Sequence, residues 1–417
     1  MIKIDLFRAY YDARKHKRNT INQLRFEINF ERELFLLYEE IIQRKYKPRP
    51  SICFVVDYPV KREIFAADFR DRVVHHLLHN YLDPVLECSF IEDSYSCRKG
   101  KGTLYGIKRM AGFIEECSEN YTTDCYILKL DIRGYFMNIN KDILSEQLIH
   151  LISPEKIAQA YSGQKQPDWE MVFYLIDEVI SQDVKENCII KGSRSDWDGL
   201  PPSKSLFLSP SDKGLPIGNL TSQLFSNVYM HAFDEYVKSG LGLAYYGRYV
   251  DDFVIVHQDK ELLKNVILLL KNFLEENLSL ELHPKKIYLQ HYTKGVQFLG
   301  SVIKPHRLYV ANRTLGHLKQ TIWTYNHRFG PGRPRPKKRD LHLMRTTLNS
   351  YLGIMRHFKC YNVRRKILLN PSNVFFKYGY LGRNLKKFKL TKNSLEKMEN
   401  SLEKMENCFE KTENNEK

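Results

Sequence analysis

Two periodicities alternate along the chain. Over residues 5–43 the apolar positions Leu24, Phe26, Ile28, Phe35, Leu36, Tyr38 and Ile41 recur among charges at the spacing of a helix face, which predicts two amphipathic helices. The segment YKPRPSICFVVDYPVKREIF is broken by prolines and alternates with period two, as a strand hairpin does. ADFRDRVVHHLLHNYLDPVLE then returns to helical spacing. YILKLDIRGYFMNI reads as a buried strand that runs out at Asp131 into a turn and a helix start. GLPIGNLTSQLFSNVYMHAFDEYV opens on Gly and Pro and becomes an apolar-periodic helix. LAYYGRYVDDFVIVHQD is two β-rich runs meeting at 249–252, a hairpin with two acids at its tip. An amphipathic helix over 260–277 follows, then a short strand pair around HPKKIYLQ and GVQFLGSVI, and a helical region from Arg313 to about Lys387.

Between these elements lie three stretches of other character. Residues 153–213 alternate helix and loop, and SRSDWDGLPPSKSLFLSPSDKG is too rich in Ser, Pro, Gly and Asp to be regular, so it reads as a long ordered-loop insertion or a lid. HRFGPGRPRPKKRD interleaves six Arg or Lys with Gly and Pro, a flexible basic loop. SLEKMEN occurs twice in tandem over 394–407, but two heptads do not sustain a coiled coil, and a frayed acidic tail is expected.

Composition narrows the class. With 417 residues, 43% of them hydrophobic, 26 Tyr and 23 Phe, the chain can bury a large core, which excludes global disorder and fibrous repeats. No uncharged apolar run reaches the length of a membrane span, and the N-terminus lacks the apolar region of a signal peptide, so a cytoplasmic protein without a membrane partner is expected. Lys and Arg exceed Asp and Glu by 65 to 49, an excess that points to a polyanion such as nucleic acid. The eight cysteines form no C-x-x-C pair, so neither a zinc ribbon nor a disulfide framework is indicated.

Candidate chemistry concentrates in Asp131, at the end of an apolar strand, and in Asp251 and Asp252, at an apolar hairpin tip. Carboxylates confined together repel and raise each other's pKa unless a cation joins them, and hard oxygen donors suit Mg2+. Two such ions, for which Mn2+ can substitute, activate an attacking hydroxyl and stabilise a leaving pyrophosphate.

The blocks around these acids resemble, in order and spacing, those of reverse transcriptases over residues 45–370, and specifically those of diversity-generating retroelements. DYPVKREIFAADFRDRVVHH and SYSCRKGKGT look like fingers blocks, LDIRGYF like the first catalytic palm block, GLPIGNLTSQLFSN like the helix block after it and YVDDF like the catalytic hairpin. LELHPKKIYL looks like the lysine-bearing block, QFLGSVI like the primer grip and NSYLGIMRHFKCYNVRRKIL like the thumb helix. The resemblance implies an α+β right-hand polymerase fold with an antiparallel palm sheet. N-terminal helices and fingers would occupy 1–120, the palm 121–300 with its insertion at 153–213, the thumb and its basic loop 301–387, and an acidic tail 388–417.

By the same resemblance Asp131, Asp251 and Asp252 hold metal, with the Ile132 carbonyl as a further ligand. Phe136 gates the sugar against a ribose 2′-hydroxyl, Lys61 and above all Arg62 grip the nucleotide triphosphate, and Lys286 protonates the leaving pyrophosphate. Ile217, Gly218 and Gln223 line the nucleotide site. Most reverse transcriptases carry Gln-Gly and Ser-Pro where this chain has Ile217-Gly218 and Ser222-Gln223. An aliphatic Ile217 removes a polar check on the incoming nucleotide, which predicts weakened discrimination. Tyr95, Arg98, Lys99, Lys101 and the loop residues Arg333, Arg335, Lys337, Lys338 and Arg339 are the expected template contacts.

The implied activity is low-fidelity, RNA-directed synthesis of mutated cDNA from a template-repeat RNA, as in mutagenic retrohoming. Its partners would be dNTPs, template RNA, the RNA/DNA duplex and a small basic accessory protein. Group II intron-like, retron-like and defence-associated reverse transcriptases are the alternatives within the class, and a non-catalytic RNA-binding scaffold is the alternative outside it.

Overall fold

The computed structural model describes residues 2–15, 20–57 and 60–391, and the chain divides into two compact units, Met1–His291 and Tyr292–Lys417. The tandem heptads at 394–407 lie outside the described residues.

The first unit opens with three helices where the spacing predicted two: α1 (Ile2–Arg14), α2 (Ile21–Ile28) and α3 (Phe30–Ile42). Asn29, at φ −132°, ends α2 and starts α3. One non-helical residue leaves the 3.6 period intact on either side, so the period does not reveal it. The hairpin β1 (Ile52–Val56) and β2 (Arg62–Ala66) leads into α4 (Phe69–Leu86), whose Asp68 cap accepts from the Arg70 amide. Phe69, Val73, Val74, Leu77, Leu78 and Leu82 bury one face of α4 completely in the main core, and Tyr10 and Ala13 of α1 join them there. Next come α5 (Thr103–Cys117), β3 (Tyr126–Asp131), the single turn α6 (Tyr135–Asn138), α7 (Lys141–Leu151), α8 (Pro154–Ala160) and α9 (Trp169–Ser181). The irregular stretch then yields only β4 (Ile189–Ile190), parallel to β1, and short 3-10 turns.

The palm sheet is completed from later sequence. Beyond α10 (Leu220–Tyr229) and α11 (His231–Glu235), β5 (Tyr246–Tyr249) and β6 (Asp252–His257) form the predicted hairpin, α12 (Lys260–Leu278) follows, and β7 (Tyr288–His291) closes the unit. The order β5-β6-β3-β7 is antiparallel throughout. β6 is buried along four consecutive residues, Phe253–Val256, because helices cover the sheet, and so it reads as a continuous apolar run.

The strand pair expected around 284–304 is not one pair. β7 adds to the edge of β3, whereas β8 (Val296–Phe298) turns back through Leu299 and Gly300, both at positive φ, to pair with β9 (Ser301–Lys304). β10 (Arg307–Val310) completes that second sheet. The second unit continues with α13 (Asn312–Phe329), α14 (Lys338–Met355) and α15 (Tyr361–Leu368) around a separate core of Leu318, Met344, Leu348, Leu352 and Phe375. Its last described elements form a hairpin that the sequence reading assigned partly to the tail: β11 (Gly379–Leu381) pairs with β12 (Phe388–Leu390). Buried Phe388 packs on Phe375, and the Asn349 side chain donates to its carbonyl at 3.0 Å and accepts from its amide at 2.7 Å.

Candidate active site

The three acids meet at one end of the palm sheet. Asp131 ends β3, Asp252 begins β6, and the two are direct cross-strand partners. Asp251 sits between them in the two-residue turn that joins β5 to β6, and its carbonyl accepts from the Ile132 amide at 3.3 Å. The other residue of that turn, Val250, has φ +58°, an uncommon conformation for a β-branched side chain. What holds it lies beneath: the Arg248 guanidinium donates to the Val250 carbonyl at 3.0 Å and is otherwise clasped by Asp234, at 2.7 Å from Nε and 2.6 Å from Nη2. Arg248 and Asp234 are both completely buried, and Tyr246 donates to the same carboxylate at 2.6 Å. Burial opposes the charge on Arg248, but Asp234 outweighs it and keeps the guanidinium protonated. On the far side of β5, Gly247 runs against the buried ring of Tyr95, whose hydroxyl lies 2.2 Å from where a Cβ on Gly247 would stand.

Two lysines meet the acids. The chain beyond α12 crosses the end of β3, with His283 donating to the Asp131 carbonyl at 2.8 Å, and so delivers Lys286, whose Nζ lies 2.8 Å from both Asp131 oxygens. Lys129 Nζ is 3.1 Å from Asp252 Oδ2. Burial pushes Asp251 up to about 6, Asp131 adds to that, and Lys286 and Arg62 act against it. Burial likewise raises Asp252 to about 6 against the pull of Lys129. Among the described residues no three His, Cys, Asp or Glu side chains stand together as an ion cage, and Asp131 and Asp252 are each paired with a lysine. The chemistry of the donors fits a hard divalent cation: Asp131 and Asp252 are cross-strand partners, Asp251 adjoins them in the turn, and Asp252 Oδ1 is buried with no hydrogen-bond donor.

Residues expected to line the nucleotide site pack into a second cluster drawn from three segments. Phe136 on α6 and Ile217 pack on one cluster with Phe65, Met137 and Leu206. The Phe136 carbonyl accepts from Leu215 at 2.8 Å, and the Ile217 carbonyl accepts from Phe65 of β2 at 2.9 Å. Gly218 lies against the Phe65 carbonyl, 3.0 Å from where its Cβ would be. Arg62 is exposed and its charge is felt at Asp251. Lys61 differs from it, because its Nζ is bound to the Asp198 carbonyl at 2.7 Å and Asp57 at 3.5 Å. Gln223 is exposed and accepts from Cys97 Sγ at 3.2 Å.

Three of the expected template contacts are used internally. Tyr95 is fully buried and hydrogen-bonds Asp93 at 3.2 Å, so its ring is closed to a base. Arg98 donates to both Glu87 oxygens at 3.0 and 2.9 Å and also to the carbonyls of Ile91 and Ser94, and Lys101 pairs with Glu92 at 2.7 Å. These residues brace a turn. Lys99 is exposed, as are Arg333, Arg335, Lys337 and Arg339 of the second unit, where Lys338 opens α14 and is half-buried.

Residues 61–303, more than half of the chain, match the family described as reverse transcriptase (RNA-dependent DNA polymerase), and the chain belongs to that family. Its class is RNA-directed DNA polymerase, with the right-hand polymerase fold. It is similar to Protein YkfC of Escherichia coli (strain K12), at 22% identity over 333 residues, covering 72% of this chain and 77% of that one. Among solved structures it is similar to the C-terminally truncated apo telomerase of Candida tropicalis (14% identity, 63% of this chain, TM-score 0.43). It is also similar to Candida albicans telomerase in complex with a fragment of telomeric RNA (13%, 82%, TM-score 0.42). The chain spans 55% and 61% of the length of those two telomerases. Among the described residues no helix is long and apolar enough to cross a membrane.

Sequence reasoning missed Arg248, Asp234 and Lys129. The signal for the first was an arginine standing alone in the apolar run before the acids. Removing one member of a buried pair strands the other, at a cost of about 3–5 kcal/mol. Arg248→Met is expected to lose that much in denaturant unfolding, and Asp234→Leu added to it should recover part of the loss. A single-variant loss below about 1 kcal/mol would show that the pair does not bear the hairpin.

Proposed function

We propose that Asp131, Asp251 and Asp252 are the metal-binding acids of a template-directed DNA polymerase, and that the chain copies RNA into DNA with low fidelity as the reverse transcriptase of a diversity-generating retroelement. The observation that carries the first part is the cross-strand register of Asp131 with Asp252, with Asp251 in the turn beside them. Bound there, Mg2+ would make a primer 3′-hydroxyl more acidic and neutralise triphosphate charge. The Ile132 carbonyl is a further candidate ligand. Arg62, exposed on the fingers strand, suits the triphosphate, and Lys286, already at the acids, is the group able to give a proton to the leaving pyrophosphate. Phe136 would exclude a ribose 2′-hydroxyl by bulk.

The low-fidelity reading rests on Ile217. Ile217 packs on the same cluster as Phe136, and it offers a nucleotide no side-chain hydrogen bond. The net charge of +16, with Lys99 and the exposed loop of Arg333, Arg335, Lys337 and Arg339, supports template RNA and the RNA/DNA duplex as partners. A small basic accessory protein and a template-repeat RNA complete the proposal.

Primer extension on RNA tests the triad. Asp251→Asn should abolish Mg2+-dependent synthesis and leave RNA binding within about twofold, since the phosphate contacts lie elsewhere; undiminished extension would remove Asp251 from the site. Phe136→Ala should admit ribonucleotides, and an unchanged ratio of dNTP to rNTP incorporation would leave Phe136 a packing residue only. Ile217→Gln should lower misincorporation roughly five- to thirtyfold, the effect of a contact of about 1–2 kcal/mol made better by a correct pair. Sequencing cDNA copied from one RNA by parent and variant reads this directly, and identical spectra with efficient extension would place selectivity elsewhere.

A further inference from the structure

β2 places Arg62 and Glu63 on opposite faces, as successive strand residues must be. Arg62 is exposed and acts on Asp251, whereas Glu63 is 1% exposed. A buried carboxylate requires donors, and all three of the Glu63 donors come from the irregular insertion: Trp197 Nε1 at 2.7 Å, Ser205 Oγ at 2.8 Å and the Leu206 amide at 2.6 Å. The same insertion borders the hairpin elsewhere. Ile189 donates to the Ser51 carbonyl and Lys191 to the Cys53 carbonyl, both at 2.8 Å, which adds β4 to β1. Phe207 packs on Phe65 with ring centres 5.3 Å apart.

The insertion also reaches the palm. Leu206 shares a buried cluster with Met137 of α6, and Phe136 packs against that cluster. The Ser203 carbonyl stands 2.6 Å from where a Cβ on Gly134, the residue before α6, would lie. One stretch of chain therefore grips the strand carrying Arg62 from behind and the turn of helix carrying Phe136 from the side.

We propose that residues 189–208 are a strap that fixes the fingers strand relative to α6, with Glu63 as its positioning residue, so that the strap sets nucleotide affinity through Arg62 and sugar selection through Phe136. The proposal rests on the polymerase reading given above. Glu63 touches no substrate. Its effect is to keep β2 seated, because lifting the strap deprives the carboxylate of every donor at once.

Glu63→Gln keeps the size of the side chain but turns an amide NH2 toward at least one of the three donors. Deuterium exchange is expected to rise at least about threefold in rate over 62–66 and 135–139. In steady-state extension the dNTP KM should rise about tenfold, with kcat at saturating dNTP and primer–template affinity within about twofold, and the preference for dNTP over rNTP should fall at least about threefold. Trp197→Phe, which deletes one donor and keeps the ring, should move each quantity the same way by less, and it carries the test if Glu63→Gln fails to fold. Exchange unchanged in both variants would overturn the strap. Faster exchange with unaltered KM and sugar preference would reduce Glu63 to a structural residue. If the parent chain extends no primer on RNA, the polymerase reading falls, while the exchange comparison still decides whether the strap holds β2 to α6.

Discussion

The buried pair of Arg248 and Asp234 bears the turn on which the acids stand. Like-charged carboxylates at the end of an apolar sheet drive apart, and a β-branched residue resists the left-handed backbone that the turn requires. Arg248 answers the second difficulty by fastening the Val250 carbonyl, and it can do so because Asp234 and Tyr246 keep it in place below the sheet. The first is met from above by Lys286 and Lys129. Charges of both signs are thus layered through β5 and β6. The acids at the top depend on the pair at the bottom.

Most of the first unit was legible in the sequence because its chemistry lies at the ends of elements with strong periods. The apolar strand stopping at Asp131 and the hairpin meeting at 249–252 are local patterns, and β3, β5 and β6 fall where those patterns put them. Long-range pairing was less legible. β7 was read as the partner of the segment that follows it, but its companion is β3, more than a hundred residues earlier, and no property of HPKKIYLQ records that. The break between α2 and α3 left no trace either, since one residue of altered φ does not disturb the apolar stripe.

Three of the expected template contacts have partners within the chain. Tyr95, Arg98 and Lys101 look like nucleic-acid contacts because an aromatic and two cations stand close together, yet charge in a sequence does not say what satisfies it. Glu87 lies eleven residues before Arg98 and takes its guanidinium, and Glu92 takes Lys101. Lys61 and Arg62 are neighbours in sequence with different fates, one bound to Asp198 and the other exposed, with its charge felt at Asp251. Glu63, which no motif singled out, turns out to bind the insertion.

The contact between Gly247 and Tyr95 ties together two positions that lie far apart in the chain. A lineage that drifted to alanine or anything larger at 247 would drive that side chain into the phenol of Tyr95, and the only relief is a smaller ring or none at 95. A residue at 95 too small to fill the space would in turn leave the strand before the acids without its backing. The two positions can therefore change only as a pair. Most routes by which mutation could reshape the hairpin run through an intermediate with either a clash or a hole beside the reaction centre.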